Sequence, residues 1–131
     1  MSRLRFALAA AVLWVLLPPA RVAAQQPTDS AAARLALGKR LFESKGLCFS
    51  CHGKDGEGML GPTTRLTAGK SWIHTKGSLS EIAQLVKSGI ESEKSQSGTA
   101  MPPRGGSRLS DAEVDLVAAY VLELHRRTPN E

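Results

Sequence analysis

Residues 48–52 read CFSCH, and Cys48 and Cys51 are the only cysteines in the 131-residue chain. Two helical positions three residues apart lie on the same face, so both thiols and the following imidazole of His52 would project from one short turn. C-x-x-C-H is the pattern at which two thiols add to the vinyl groups of a haem. The histidine then lies under the ring and binds its iron. Because a chain must wrap its apolar residues around so large a flat group, this motif constrains the fold more than any other feature.

Three other interpretations of the motif compete with haem attachment. The two cysteines of an exported protein can form a structural disulfide. A thioredoxin-like thiol pair would need a strand–helix–strand setting, which the sequence does not predict. A zinc site would need further ligands, and His74 and His125 are the remaining histidines. The motif favours haem, with these three as the alternatives.

The first 24 residues have the pattern of a secretory signal peptide. A basic start at residues 2–5 leads into the apolar run 6–17, two prolines end the run, and small residues follow at 22–24. The run is shorter than the roughly 20 residues that span a bilayer, which favours cleavage before Gln25 over a membrane anchor. Residues 25–131 would then form the mature domain in the periplasm, with no membrane span.

The charge of the mature domain is nearly balanced. Residues 1–24 contain three arginines and no acidic side chain, so their removal lowers the net charge from +5 to +2. A balance so close to neutral does not predict a surface that binds nucleic acid.

The mature segment predicts an all-α fold of about three main helices and long loops. The first helix extends over residues 30–45, with Gly38 and Phe42 on its apolar stripe. Capping boxes, in which a serine is followed three residues later by a glutamate, predict helix starts at Ser78 and Ser110. No segment predicts a strand. Three helices bury a small core, and a bound apolar cofactor would complete it.

Residues 56–61 spell G-x-G-x-x-G, a pattern also found in dinucleotide-binding proteins. There it follows a strand and opens a helix, whereas here it follows CFSCH and leads into a proline. We interpret it as a loop whose glycines let the backbone pack against the haem edge.

A second axial ligand for haem iron would come from a sulfur or an imidazole elsewhere. Met59 lies only seven residues past His52, too close for its loop to reach the other face of the ring. Met101 lies between two predicted helices, where two following prolines stiffen the backbone. We therefore predict His52 and Met101 as the axial ligands. A bis-histidine site with His74, or an open iron, is the alternative, and His125 is interpreted as solvent-facing or as a partner of the last helix dipole.

Residues 30–125 resemble a small bacterial class I cytochrome c, a monohaem protein. The resemblance rests on CFSCH, Gly38-x-x-x-Phe42, Gly61-Pro62, Met101-Pro102-Pro103 and Val117-x-x-Tyr120. It implies that the first and last helices cross closely, with Gly38 and Phe42 meeting Val117 and Tyr120.

The resemblance also implies the roles of residues around one covalent haem c. Cys48 and Cys51 would carry the thioether bonds, and the Pro62 carbonyl would accept a hydrogen bond from the second ring nitrogen of His52. Trp72 and His74 would be placed to donate to a haem propionate.

The expected function is one-electron transfer by a protein that is not an enzyme on its own, because the sequence predicts no acid–base pair or substrate pocket. The implied partners are redox proteins that donate and accept electrons in brief encounters. One alternative is the haem c subunit of a larger periplasmic dehydrogenase or respiratory complex. The other is a five-coordinate gas sensor or peroxidase, which requires that Met101 does not bind iron.

Overall fold

A computed structural model describes residues 30–67 and 71–127 of the chain. Four α-helices follow one another: α1 (Ala31–Glu43), α2 (Phe49–His52), α3 (Leu79–Ser88) and α4 (Asp111–Arg126). Short 3-10 turns cover Pro62–Thr64 and Pro103–Gly106. Within these residues the structure has no strand, and a single antiparallel bridge joins Ile90 to Met101. The expectation of an all-α fold with three main helices is confirmed, with the fourth helix being the short turn that carries CFSCH.

The predicted helix starts are confirmed at the atomic level. The Ser30 hydroxyl accepts from the amide of Ala33, which begins α1. Ser78 and Glu81 form a complete capping box at α3, and Ser110 and Glu113 form one at α4. Each box satisfies amide groups that have no partner inside the helix. The predicted signal peptide, residues 1–24, lies outside the described residues and stays a prediction, as does the domain boundary at residue 25.

Helices α1 and α4 cross at Gly38. A methyl group at this position would collide with the Leu116 carbonyl oxygen and would lie 3.0 Å from the Tyr120 Cβ. Phe42, one turn later, packs edge-on against the Tyr120 ring, with ring centroids 5.4 Å apart. Val117 belongs to the same buried cluster. The helix crossing that the resemblance implied is therefore present, and the absence of a side chain at Gly38 permits it.

The third long helix, α3, packs against α4 on the other side of the core. Ile82, Ala83 and Val86 form its buried face. None of the helices within residues 30–67 and 71–127 has the length and apolar character needed to cross a membrane.

Candidate haem site

A cavity opens between α2, α3, α4 and the loops that join them. All five sequence-predicted site residues line it: Cys48, Cys51, His52, Pro62 and Met101. Much of its wall is apolar and comes from every part of the fold: Phe42, Leu66, Ile82, Leu85, Val86, Val117 and Val121. The fold thus brings residues from positions 42 to 121 around one space, which a flat apolar ligand would fill favourably.

The CFSCH turn forms one part of the cavity wall. Cys48 is buried and Cys51 is half-buried, and both thiols are free. The Cys48 sulfur lies 3.4 Å from the Gly46 carbonyl oxygen. Burial raises the pKa of the Cys48 thiol to about 11. Reactive redox cysteines have a lowered pKa, so this environment does not favour the thiol-exchange interpretation.

His52 ends the turn with its ring fixed by a backbone carbonyl. Its Nδ1 lies 2.7 Å from the carbonyl oxygen of Thr64. When Nδ1–H donates to that oxygen, Nε2 keeps a free lone pair for a metal. Burial lowers the pKa of His52, against the weaker opposing effect of the Thr64 carbonyl, so the imidazole stays neutral as a metal ligand requires. Phe42 lies behind the ring, with centroids 6.4 Å apart.

The carbonyl that orients His52 is not the one expected. The resemblance implied Pro62, but the Pro62 carbonyl points into its own turn, where it accepts from the amide of Arg65 at 3.4 Å. Pro62 instead occupies the first position of the 3-10 turn that ends at Thr64. Proline suits this position because its φ is preset and it has no amide hydrogen to satisfy. Pro62 thus begins the turn, and Thr64, two residues later, supplies the carbonyl that bonds to His52.

The glycine-rich segment 56–61 folds the chain back toward CFSCH. The amide of Gly58 donates to the His52 carbonyl at 2.7 Å, and that of Met59 donates to the Cys51 carbonyl at 3.0 Å. A side chain at Gly58 would meet the Gly61 carbonyl and the Arg65 backbone. The glycines themselves do not line the cavity, whereas Leu60 of the same segment does, and packing of this loop against a haem edge stays a prediction. The glycines close the turn that carries Thr64 to the imidazole.

Met101 reaches the cavity from a segment held by backbone bonds. Its amide donates to the Ile90 carbonyl and its carbonyl accepts from the Ile90 amide, both at 2.8 Å. Gly89, which ends α3 with φ +72°, lies so close to Met101 and Pro103 that a side chain there would collide with their backbone. Met59 is 64% exposed and does not line the cavity.

Trp72, His74 and His125 form part of the cavity wall on another side. The rings of Trp72 and His125 stack with centroids 4.0 Å apart. His125 Nδ1 also lies 3.3 Å from the Leu66 carbonyl oxygen. His125 is therefore half-buried in the cavity wall, so its interpretation as a solvent-facing residue is wrong, whereas its place in the last turn of α4 agrees with the alternative of a helix-dipole partner. The amphipathic pattern of α4 missed it because a polar ring can pack on an aromatic ring. The propionate-binding roles of Trp72 and His74 stay predictions.

The residues present fit a c-type haem. Imidazole and thioether sulfur are established axial ligands of haem iron, and here His52, Met101 and two free cysteines all line one cavity. In the part of the chain that the structure describes, no group of three or more His, Cys, Asp or Glu side chains could hold a metal ion, which leaves the zinc interpretation without support.

Comparison with known proteins agrees with the geometry. The family model described as "Cytochrome C oxidase, cbb3-type, subunit III" matches residues 33–121, which is more than half of the chain. No curated protein and no solved structure matches significantly. The matched range begins in α1, contains CFSCH and Met101, and ends in α4. The chain therefore belongs to the cbb3-type cytochrome c oxidase subunit III family and is a small c-type cytochrome, whose haem serves electron transfer.

Proposed function

We propose that this protein is a periplasmic one-electron carrier, in which Cys48 and Cys51 bind one haem covalently and His52 and Met101 supply the axial ligands. The observation that carries the proposal is the shared cavity: the CFSCH turn and Met101, which are 49 residues apart in sequence, line the same apolar space. When bound, the haem supplies a one-electron couple, and methionine–histidine ligation raises its potential.

Hydrogen bonds to backbone groups fix the positions of both proposed ligands, His52 and Met101. The Thr64 carbonyl holds His52, and two backbone bonds to Ile90 hold Met101. Neither ligand lies on a free loop end. Ligands that keep their positions in both oxidation states suit a protein that gives and takes electrons without other chemistry, and the protein's part is to bind, orient and tune the cofactor.

Three exposed apolar side chains support transient contact with redox partners. Leu47, Leu60 and Ile73 line the cavity and are each between 42% and 49% exposed. Apolar residues that face solvent at the edge of a cofactor cavity are suited to a small interface with another protein. A partner that docks here would approach the haem edge.

A second candidate is a haem c subunit of a larger periplasmic respiratory complex. The observation that favours it is the matched family, whose description names an oxidase subunit. Purification from whole native cells, with the periplasmic and membrane fractions kept separate, distinguishes the two candidates. A carrier separates from other proteins at moderate salt, whereas a subunit stays with larger chains through gel filtration.

Periplasmic location rests on the N-terminal pattern. The apolar run 6–17 and the small residues 22–24 support export and cleavage before Gln25. Mass spectrometry of the mature protein, produced with the cytochrome c maturation machinery, tests this part of the proposal. A mass that starts at Gln25 and includes one haem supports it, and a mass that retains residue 1 opposes it.

Met101→Ala tests the axial ligand. We expect the variant to lose the weak near-infrared band of ferric haem bound by methionine sulfur. Its reduction potential should fall by on the order of 100 mV, a fraction of the roughly 0.8 V that axial ligation controls. Absorption spectra and a redox titration measure both quantities.

Met59→Ala is the matched control, because Met59 is exposed and does not line the cavity. It should keep the band and the potential of the wild type. If Met101→Ala keeps the band, the sulfur of another methionine is the sixth ligand. If the wild type itself lacks the band while its haem is covalent, a bis-histidine or open iron replaces our proposal.

A further inference from the structure

Arg104 has an unusual backbone conformation close to Met101. It lies in the 3-10 turn Pro103–Gly106 with φ +55° and ψ +28°, the left-handed region that non-glycine residues rarely occupy. Its carbonyl accepts from the Ser107 hydroxyl at 2.6 Å. Such a conformation costs free energy, and it persists only where surrounding contacts impose it. At Arg104 these contacts are made by its side chain.

The Arg104 guanidinium joins the Met101 segment to the start of α4. Nη1 donates to the Leu109 carbonyl oxygen at 2.7 Å, and Nη2 donates to Asp111 Oδ1 at 2.7 Å. Leu109 is buried, so its carbonyl depends on this protein donor. The planar fork of arginine can satisfy two acceptors at once, which the single ammonium of lysine does less well.

The segment 101–106 also packs against two other parts of the chain. A side chain at Gly105, where φ is +68°, would collide with the carbonyl oxygen of Gly46, two residues before Cys48. At its other end the segment lies against Gly89. Residues 101–106 therefore connect the end of α3, the approach to CFSCH and, through Arg104, the start of α4.

We propose that Arg104 is a positioning residue that keeps the Met101 sulfur on the haem iron. The inference rests on the proposed Met101 ligation. Helix α4 packs on α1, whose Phe42 lies behind His52, so Arg104 ties the distal ligand to the same frame that supports the proximal one.

The physical reason is preorganisation. A neutral thioether competes for iron with other ligands, and it competes best when its backbone is already held at the right place. The Ile90 bridge holds the first residue of the segment, and Arg104 holds the part after the prolines. Without the guanidinium, residues 102–106 would have more freedom, and the sulfur would be absent from the iron for a larger fraction of the time.

Imidazole binding to the ferric protein tests the proposal, because imidazole can bind only when Met101 leaves. We expect Arg104→Met to bind imidazole about tenfold more tightly than the wild type, equivalent to about 1.4 kcal/mol. Arg104→Lys should fall between the two, since it keeps the charge and loses the fork. Spectral titration at pH 7 gives the affinities, and the near-infrared band reports the sulfur bond.

Lys87→Met is the matched control. Lys87 pairs with the same Asp111 carboxylate, at 3.3 Å, from α3. Its removal weakens the surface charge network but leaves both arginine bonds in place. We expect its imidazole affinity to stay within about twofold of the wild type, as surface ion pairs contribute little.

The outcomes separate this inference from the proposed function. If Arg104→Met lowers the melting temperature while imidazole affinity stays at the wild-type value, Arg104 has only a structural role and the inference is wrong. If the wild type lacks the methionine band, the proposed ligation and this inference both fall. If Arg104→Met does not retain haem, Arg104→Lys and Asp111→Asn decide, with unchanged imidazole affinity in both opposing the inference.

Discussion

Gly89 illustrates how the site depends on single residues. It ends α3 with φ +72°, a conformation that glycine adopts without the strain that a side chain would add. The backbone of Met101 and Pro103 lies directly against it, so its lack of a side chain also provides the space for the Met101 segment. One residue therefore terminates a helix and lets the Met101 segment pack against that helix end.

Gly89→Ala should destabilise the protein by about 2–4 kcal/mol, which combines the strain of a side chain at positive φ with overpacking. Gly98→Ala is the matched control, because Gly98 has φ +68° and open space where the side chain would be. It should cost only the strain, about 1–2 kcal/mol. Chemical denaturation of the two haem-loaded variants measures the difference. Equal losses would show that the packing against Met101 contributes nothing.

Among the helices, the crossing of α1 and α4 supports the side of the site that contains His52. Gly38 lets the two backbones approach, and Phe42 then packs between Tyr120 and the ring of His52. The Tyr120 hydroxyl donates to the Lys54 carbonyl at 3.4 Å, which ties α4 to the loop after CFSCH. The crossing thus places the Phe42 ring behind His52, with Tyr120 packed on its other side.

Gly38→Ala tests this crossing, because two effects predict opposite signs. Helix propensity alone predicts a gain of about 1 kcal/mol. The collision with the Leu116 carbonyl predicts a net loss of about 2 kcal/mol, since overpacking costs about 1–3 kcal/mol and here meets backbone. Thermal and chemical unfolding measure the sign.

Ala36→Gly calibrates the propensity on the exposed side of the same helix. We expect it to cost about 1 kcal/mol. A Gly38→Ala variant as stable as the wild type would mean that the helices separate without penalty.

For the molecule as a whole, charge interactions make the free energy of unfolding fall as the pH is lowered. The Lys45 ammonium lies 2.7 Å from both oxygens of Glu113 and joins the CFSCH approach to the start of α4. Together with the Ser110 amide, it lowers the pKa of Glu113 from 4.5 to about 2. Four other carboxyl groups also have a lowered pKa: Glu81, Glu91, Glu93 and Asp111. The unfolded chain therefore binds more protons in acid than the folded chain does.

The stability that Glu113 contributes is present above pH 4.5 and is lost as the pH falls toward 2. Glu113→Gln should therefore be less stable than the wild type at pH 7, and the difference should disappear near pH 2. Glutamine keeps the capping box, so the change isolates the charge. Melting temperatures between pH 2 and 7 measure this.

Glu93→Gln is the comparison, because the pKa of that carboxyl is lowered by hydrogen bonds to its own backbone and to Ser92 rather than by an ammonium group. It should reduce the difference between neutral and acid stability by less than Glu113→Gln does. A Glu113→Gln curve parallel to the wild-type curve would contradict the role of the Lys45 pair.

Local sequence patterns predicted the helices correctly but only some of the contacts between helices and loops. The serine and glutamate pairs at Ser78 and Ser110 predicted two helix starts, because a capping box is completed within four residues. The Thr64 carbonyl was missed, since every residue has a carbonyl and only the path of the chain selects one. Pro62 was the available signal, and it marked the turn rather than the acceptor. Arg104 was missed because nothing in its neighbours in sequence predicts a left-handed arginine.

The amino-acid sequence alone predicts two features of this protein: CFSCH predicts the cofactor, and helix periodicity and caps predict an all-α frame. These features are local, so neighbouring residues are enough to encode them. Three contacts could be found in the folded chain alone: the Thr64 carbonyl at His52, the stack of His125 on Trp72 and the bonds by which Arg104 joins the Met101 segment to α4. Those contacts join residues from separate turns, loops and helices, and the path and packing of the folded chain choose the partners.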